Sequence, residues 1–359
     1  MKSFDIAVIP GDGIGPEVME AAMQVLQLVG TAHGGFRLNY THFPWGCTHY
    51  LAHGEFMPAD GLSTLRSFDA IYFGAVGWPT VPDHVSLWGL LIPIRQGFDQ
   101  YINLRPVRLL PGVPGPLRLR PDQTIDMVFV RENSEGEYSG MGGRFHKGQP
   151  DELALQTGVF TRKGIERVVR YSFDLATKRP RHRLCSATKS NALQYSMVLW
   201  DEIVAEVARD YPTVTVDKQH VDALAARMLT APQTLDVVVG SNLFGDILTD
   251  IGGALQGSLG IPAGANLNPE GRYPSLFEPV HGSAPDIAGK GIANPIAAVW
   301  AGAMMLGHLG FPDAEALLMQ SIDRLAAEGK VLTSDLGGTA NTLQVADRIA
   351  ALARELAGR

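Results

Sequence analysis

The sequence predicts an α/β fold large enough for two domains, on three observations. Short β-branched apolar runs alternate with amphipathic helical stretches along most of the chain. A length of 359 residues exceeds what one small core needs. No period of 20–50 residues recurs, which argues against a solenoid or propeller.

Each element has its own signal. A strand at 5–9 leads to a helix at 16–29, opened by Pro16, a residue tolerated only in a first helical turn. Further strands are predicted at 70–73, 125–130, 184–187, 213–216 and 237–239. Helices are predicted at 161–177, 194–209, 221–229, 295–309 and over the last twenty residues, with Tyr211-Pro212 stopping one before a strand. The Pro- and Gly-rich segment 106–121 reads as a loop, and charged, Gly-rich 134–150 as an arm or flap. The most apolar stretch, 292–311, is broken by Asn294-Pro295, glycines and His308, so it reads as a buried helix.

Composition narrows the class. Against 37 acidic residues stand 30 basic ones, a net charge of −7, which argues against nucleic acid as a partner. Two cysteines, Cys47 and Cys185, are too few for a disulfide framework and fit a reducing compartment. Met-Lys-Ser-Phe-Asp at the N-terminus lacks an apolar signal segment, so the expectation is a cytoplasmic protein with no membrane partner. Arginine outnumbers lysine 22 to 8, which raises the question of guanidiniums placed to grip planar anions.

Two motifs mislead. Gly11-Asp12-Gly13-Ile14-Gly15-Pro16 sits between a strand and a helix, but it has the wrong glycine spacing for a dinucleotide fingerprint. His49 and His53 are four apart, yet Tyr50 stands where a zinc protease needs glutamate, so the pair reads as a surface or packing feature.

The chemistry concentrates at strand–helix junctions. After 237–239 comes Gly240-Ser241-Asn242-Leu243-Phe244-Gly245-Asp246-Ile247-Leu248-Thr249-Asp250, which puts Asp246 and Asp250 on one helical face. Carboxylates so placed either face solvent or surround a hard cation such as Mg²⁺ or Mn²⁺. Asp222 opens another helix and Lys189 follows another strand, where residues of parallel sheets meet ligands. Arg95, Arg105 and Arg131 follow apolar runs, with Tyr138 seven residues beyond the last.

Six motifs in order decide among these readings: Gly11 to Glu17, Asn103-Leu104-Arg105-Pro106, Arg131-Glu132-Asn133-Ser134-Glu135-Gly136-Glu137-Tyr138, Ala187-Thr188-Lys189-Ser190-Asn191, the Asp246/Asp250 helix, and His281-Gly282-Ser283-Ala284-Pro285-Asp286-Ile287. Together, over nearly the whole chain, they resemble the isocitrate/isopropylmalate dehydrogenase family, the β-decarboxylating dehydrogenases of (R)-2-hydroxy diacids. The resemblance implies an isopropylmalate-dehydrogenase-like, two-lobed α/β fold with a large mixed central sheet, rather than a Rossmann fold. One lobe would combine 1–99 with 252–359 and bind the cofactor. The other, 100–251, would bind substrate and dimerise, with an arm near 134–160 and the cleft between the lobes.

By the same resemblance, Arg95, Arg105 and Arg131 would grip substrate carboxylates. Asp246 and Asp250 would hold Mn²⁺ or Mg²⁺, joined by Asp222 from the second chain of a homodimer with shared active sites. Lys189, also from the second chain, would act on the C2 hydroxyl, and Tyr138 would protonate the enol left after CO₂ loss. NAD would lie on His281, Gly282, Ser283, Ala284, Asp286, Ile287 and Asn294. Asp286 can accept from the ribose hydroxyls and would repel a 2′-phosphate, and K⁺ is a candidate monovalent cofactor. Substrate choice is expected in Ser86-Leu87-Trp88-Gly89-Leu90-Leu91, where Trp88 replaces the glutamate usual in isopropylmalate enzymes. A buried indole there would occupy the volume of a γ-substituent and leave room for hydrogen or hydroxyl. The expected substrates are therefore tartrate isomers and D-malate. Isopropylmalate dehydrogenase, or a catalytically silent diacid-binding relative, are the alternatives.

Overall fold

The computed structural model describes residues 1–358 and has a mixed α/β architecture. In chain order its strands are β1 (Lys2–Gly11), β2 (Phe36–His42), β3 (Ala70–Ala75), β4 (Ile102–Arg108), β5 (Asp126–Glu132), β6 (Gly136–Phe145), β7 (Leu153–Val159), β8 (Arg183–Thr188), β9 (Thr215–His220), β10 (Val237–Gly240), β11 (Ala263–Leu267) and β12 (Ser275–Pro279). All but β6 and β7 belong to a large central mixed sheet.

The described residues divide into two compact units: Met1–Gln100 with Arg108–Arg118 and 253–358, and Tyr101–Val107 with Leu119–Gly252. The boundaries differ from those expected, because 108–118 packs within the first unit. Arg108 makes a two-pronged bond to Asp323, at 2.6 and 3.0 Å, and lies over the ring of Trp300. Gln100 is tied to the same unit through its amide, which donates to the carbonyl of Pro274 at 2.8 Å.

In the first unit the strand order is β2-β1-β3-β12-β11, parallel except for β11 against β12. Residues Ile6 to Ile9 of β1 have no exposed surface, as a strand covered on both faces requires. Helix Gly15–His33 follows β1 with proline in its first turn. Helix Ile296–His308 is buried on all sides over its first eleven residues, in keeping with its apolar sequence. No helix among the described residues is long and apolar enough to cross a membrane.

In the second unit the order is β4-β5-β10-β8-β9. Parallel registers pair Gly240 with Arg131, Val239 with Ser186 and Thr188 with His220. The carboxyl ends of β5, β10, β8 and β9 thus lie along one edge, where α/β folds place ligands. β9 starts two residues later than predicted because Val214 still closes a turn onto the carbonyl of Tyr211. β6 and β7 form an antiparallel ribbon of their own, outside the central sheet.

Candidate active site

Within the second unit, three of the expected residues meet at the carboxylate of a fourth. Arg131 follows the buried strand residues Val128–Val130, and Asp246 sits one turn into helix Asn242–Leu255, entered directly from β10. Gly245 makes the approach possible, since a Cβ there would come within 2.6 Å of the Arg131 side chain. The Arg131 guanidinium, 2% exposed, donates through one Nη to Asp246 Oδ1. Arg105, from β4, brings its own Nη to 3.7 Å from the same oxygen and donates to Thr249 Oγ at 2.6 Å. The hydroxyl of Tyr138, at the start of β6, donates to Asp246 Oδ2 at 2.8 Å. Arg131 also lies over the Tyr138 ring, 5.2 Å from its centre. Two buried guanidiniums around one carboxylate form an anion-receptive site, because buried cations need anionic partners.

Asp250 lies one turn further along the same helix, at its exposed side. Partial desolvation and then the charge of Asp246 push its carboxyl up, against the pull of Arg105 and Arg131. Two carboxylates that disfavour each other's ionisation, on one helical face and all oxygen in character, fit a hard divalent cation.

Lys189 and Asp222 are brought together within this unit. Lys189 follows β8 and Asp222 opens helix Val221–Thr230, and the ammonium donates to Asp222 Oδ1 at 2.6 Å. That ammonium holds the Asp222 carboxyl below its usual range. Among the described residues no three His, Cys, Asp or Glu side chains gather at one metal-sized point. One chain therefore does not assemble Asp222 with Asp246 and Asp250.

In the first unit, Arg95 is held by Glu278, with Nη to Oε1 at 2.9 Å, and Asn266 donates to that same oxygen at 2.7 Å. Glu278 lies 183 positions away and carries no motif, so the sequence offered no signal for it. Trp88 departs from expectation: its indole is 39% exposed rather than buried. The cause is the local backbone. Leu87–Leu91 is a π-turn in which the Ile92 N–H reaches back to the carbonyl of Leu87, just before Pro93, which has no N–H to offer. Leu90 and Leu91 face inward, while Trp88 turns toward solvent.

The loop His281 to Ile287 is fastened to the Gly-rich turn that failed as a dinucleotide fingerprint. The Ile14 N–H donates to the Ser283 carbonyl at 2.8 Å, and a Cβ on Gly13 would strike that carbonyl at 1.9 Å. Asp12 accepts from the N–H groups of Cys47, Gly77 and Thr48 at 2.9, 3.0 and 3.2 Å. Gly282 and Asp286 are exposed, Ser283 is buried, and Ala284 has a left-handed φ of 39°. Ile287 closes a turn onto the carbonyl of Ala284. Asn294 is satisfied internally, donating to Asp335 at 2.9 Å and accepting from the N–H of Ile296 at 3.0 Å. His281 Nδ1 lies 2.9 Å from the Gly282 carbonyl and so carries a proton, while its Nε2 is buried without a hydrogen-bond partner. Burial lowers the pKa of His281, which keeps the ring neutral and leaves Nε2 an acceptor in want of a donor. An unmet acceptor in a loop that also exposes the Asp286 carboxylate fits a hydroxyl-rich ligand such as a dinucleotide. His49 and His53 sit on helix Cys47–His53 with ring centres 4.5 Å apart, away from these groups in role and sequence.

Comparison with known proteins gives a consistent picture. The family model described as isocitrate/isopropylmalate dehydrogenase matches residues 5–350. The chain is 55% identical to D-malate dehydrogenase [decarboxylating] of Escherichia coli (strain K12), covering 97% of this chain and 98% of the relative. It is 53% identical to tartrate dehydrogenase/decarboxylase of Pseudomonas putida, covering 96% of each. Among solved structures it resembles isocitrate dehydrogenase from Methylococcus capsulatus, with a TM-score of 0.88, 36% identity, and coverage of 98% and 99%.

Proposed function

The chain belongs to the isocitrate/isopropylmalate dehydrogenase family, and from that premise we propose that it oxidises D-malate and tartrate isomers with NAD and Mn²⁺ or Mg²⁺. D-malate would yield pyruvate and CO₂. The observation that carries the reading is the convergence of Arg105, Arg131 and Tyr138 on Asp246, in a chain 53–55% identical to enzymes named for these substrates.

The residues divide the work as follows. Arg105 and Arg131 exchange Asp246 for the carboxylates of the diacid, and Arg95 is the third guanidinium assigned to it. Lys189 would take the proton of the C2 hydroxyl, and NAD, if held by the His281–Ile287 loop, would supply the hydride acceptor. The bond from C3 to its carboxylate then breaks, CO₂ leaves, and Tyr138 delivers a proton to C3. Asp246, Asp250 and the Asp222 of a second copy would hold the divalent ion, whose chemistry there would be that of a Lewis acid. Asp286 favours NAD over NADP by meeting the ribose hydroxyls and repelling a 2′-phosphate. Trp88, through its exposed indole, is assigned to limit the substituent at C3 to hydrogen or hydroxyl.

A homodimer with shared sites is supported by two features. Lys189 and Asp222 pair with each other, and among the described residues Asp222 does not gather with Asp246 and Asp250 at one metal-sized point. The β6–β7 ribbon also exposes Met141, Phe145, Leu153 and Leu155, and a two-stranded ribbon is marginal alone. A substrate panel tests the proposal: NADH formation with D-malate and the tartrates should exceed that with isopropylmalate and isocitrate, vanish with EDTA and return with Mn²⁺. Faster turnover of isopropylmalate would overturn the substrate assignment, and no turnover of any diacid would favour a silent binding protein.

A further inference from the structure

Arg131 has a second holder besides Asp246. Asn242, the first residue of helix Asn242–Leu255 and 2% exposed, accepts from Arg131 Nε at 3.1 Å and from an Nη at 2.7 Å through one oxygen, Oδ1. Its amide nitrogen donates to the carbonyl of Glu135 at 3.0 Å, three residues before Tyr138. Gly136, with φ 70°, lies against the Asn242 Cβ, where a side chain of its own would come within 3.1 Å. Asn242 thus touches both the guanidinium and the start of the strand that carries Tyr138.

We propose that Asn242 is a positioning residue for diacid binding, which rests on the function proposed above. Asp246 is asked to release Arg131 when substrate enters. The Asp246 carboxylate engages an Nη of the guanidinium, and the Nε edge is bonded to Asn242. The Asn242 oxygen keeps the Nε edge fixed throughout, so the other edge is presented to the incoming carboxylate in one orientation, with the ordering already made before binding. Being neutral, Asn242 does this without competing for the positive charge that the substrate requires. A carboxylate at this position would neutralise Arg131 instead.

Asn242→Ala should raise the KM for D-malate at least tenfold, change kcat less, and leave the Kd for NAD, measured by direct titration, within twofold. If Asn242 acts through Arg131, its effect must disappear once Arg131 is gone. The double variant Arg131→Ala/Asn242→Ala should therefore have the KM of Arg131→Ala alone. Additive losses, or a KM within twofold of wild type for Asn242→Ala, overturn the proposal. Asn242→Ser, which keeps a polar group suited to a helix start, enters the same cycle if the alanine variant does not fold. Failure of the wild-type enzyme to turn over any diacid would instead sink the functional reading, and this inference with it.

Discussion

Asp246 is the residue on which the second unit's polar groups converge, so substitutions around it separate chemical from structural roles. Tyr138→Phe removes the proton donor and keeps the ring beneath Arg131. Lys189→Ala removes the proposed base from a surface pair with Asp222. Each should lower turnover by about 10²–10⁴-fold, the usual contribution of a positioned acid or base, while NAD titrations remain as for wild type. Retention of most activity by both would refute the assigned roles. Gly245→Ala adds one methyl in space already filled by Arg131. It should weaken diacid binding and cost about 1–3 kcal/mol in denaturant unfolding, as overpacking does. Asp246, Asp250, Arg131 and Tyr138 were legible as candidates because charged and phenolic groups at the ends of apolar runs are conspicuous. Asn242 and Glu278 were not, since a neutral amide and a lone glutamate acquire meaning only from what they touch.

At the scale of elements, the turn between β1 and helix Gly15–His33 does more than reverse the chain. Asp12 is buried and supplies the carboxylate for the first N–H groups of helix Cys47–His53, a cap that comes from 35 residues away. Asp12→Ala would strand those donors and that of Gly77, and should destabilise the protein by about 3 kcal/mol in urea unfolding. An unchanged midpoint would show that water replaces the carboxylate. A second element effect is proton-linked. Glu315, on helix Pro312–Glu328, lies against Gly307 of helix Ile296–His308, and burial pushes its carboxyl up to about 7. The folded protein holds this proton more tightly than the unfolded chain. Its contribution is therefore full below the ordinary glutamate range and is lost as pH rises through about 7. Glu315→Gln cannot ionise, so its melting temperature should gain on wild type between pH 5 and pH 8. A constant difference across that range would contradict the argument. The π-turn ahead of Arg95 was invisible in the sequence: the Pro93 signal was present, but whether the chain kinks, ends or widens depends on how Leu90 and Leu91 are buried.

For the whole molecule, the proposed sharing of sites makes a quantitative prediction. If Lys189 and Asp222 serve the partner's Asp246, mixing Lys189→Ala chains with Asp246→Asn chains should regenerate one competent site in each mixed dimer. Random reassortment of a two-fold dimer then returns about one quarter of wild-type activity. No recovery after verified subunit exchange would place each site within one chain. If the proposed dimer forms through the ribbon, replacing the exposed Leu155 or Phe145 with glutamate should shift it toward monomer in sedimentation and lower turnover in parallel.

The sequence by itself determined the α/β class, the helices opened by Pro16 and closed before Tyr211-Pro212, and the charged groups at strand ends that stand as candidate ligands. These follow from local periodicity and side-chain chemistry, which do not depend on distant parts of the chain. It could not set the unit boundary. The bond from Arg108 to Asp323 joins positions 215 apart and places 108–118 with the first unit. Nor could it show that Trp88 faces outward, that His281 keeps an unmet acceptor, or that Arg131 is gripped from both sides by Asn242 and Asp246. Each depends on which surfaces are withdrawn from water together, and only the folded chain decides that.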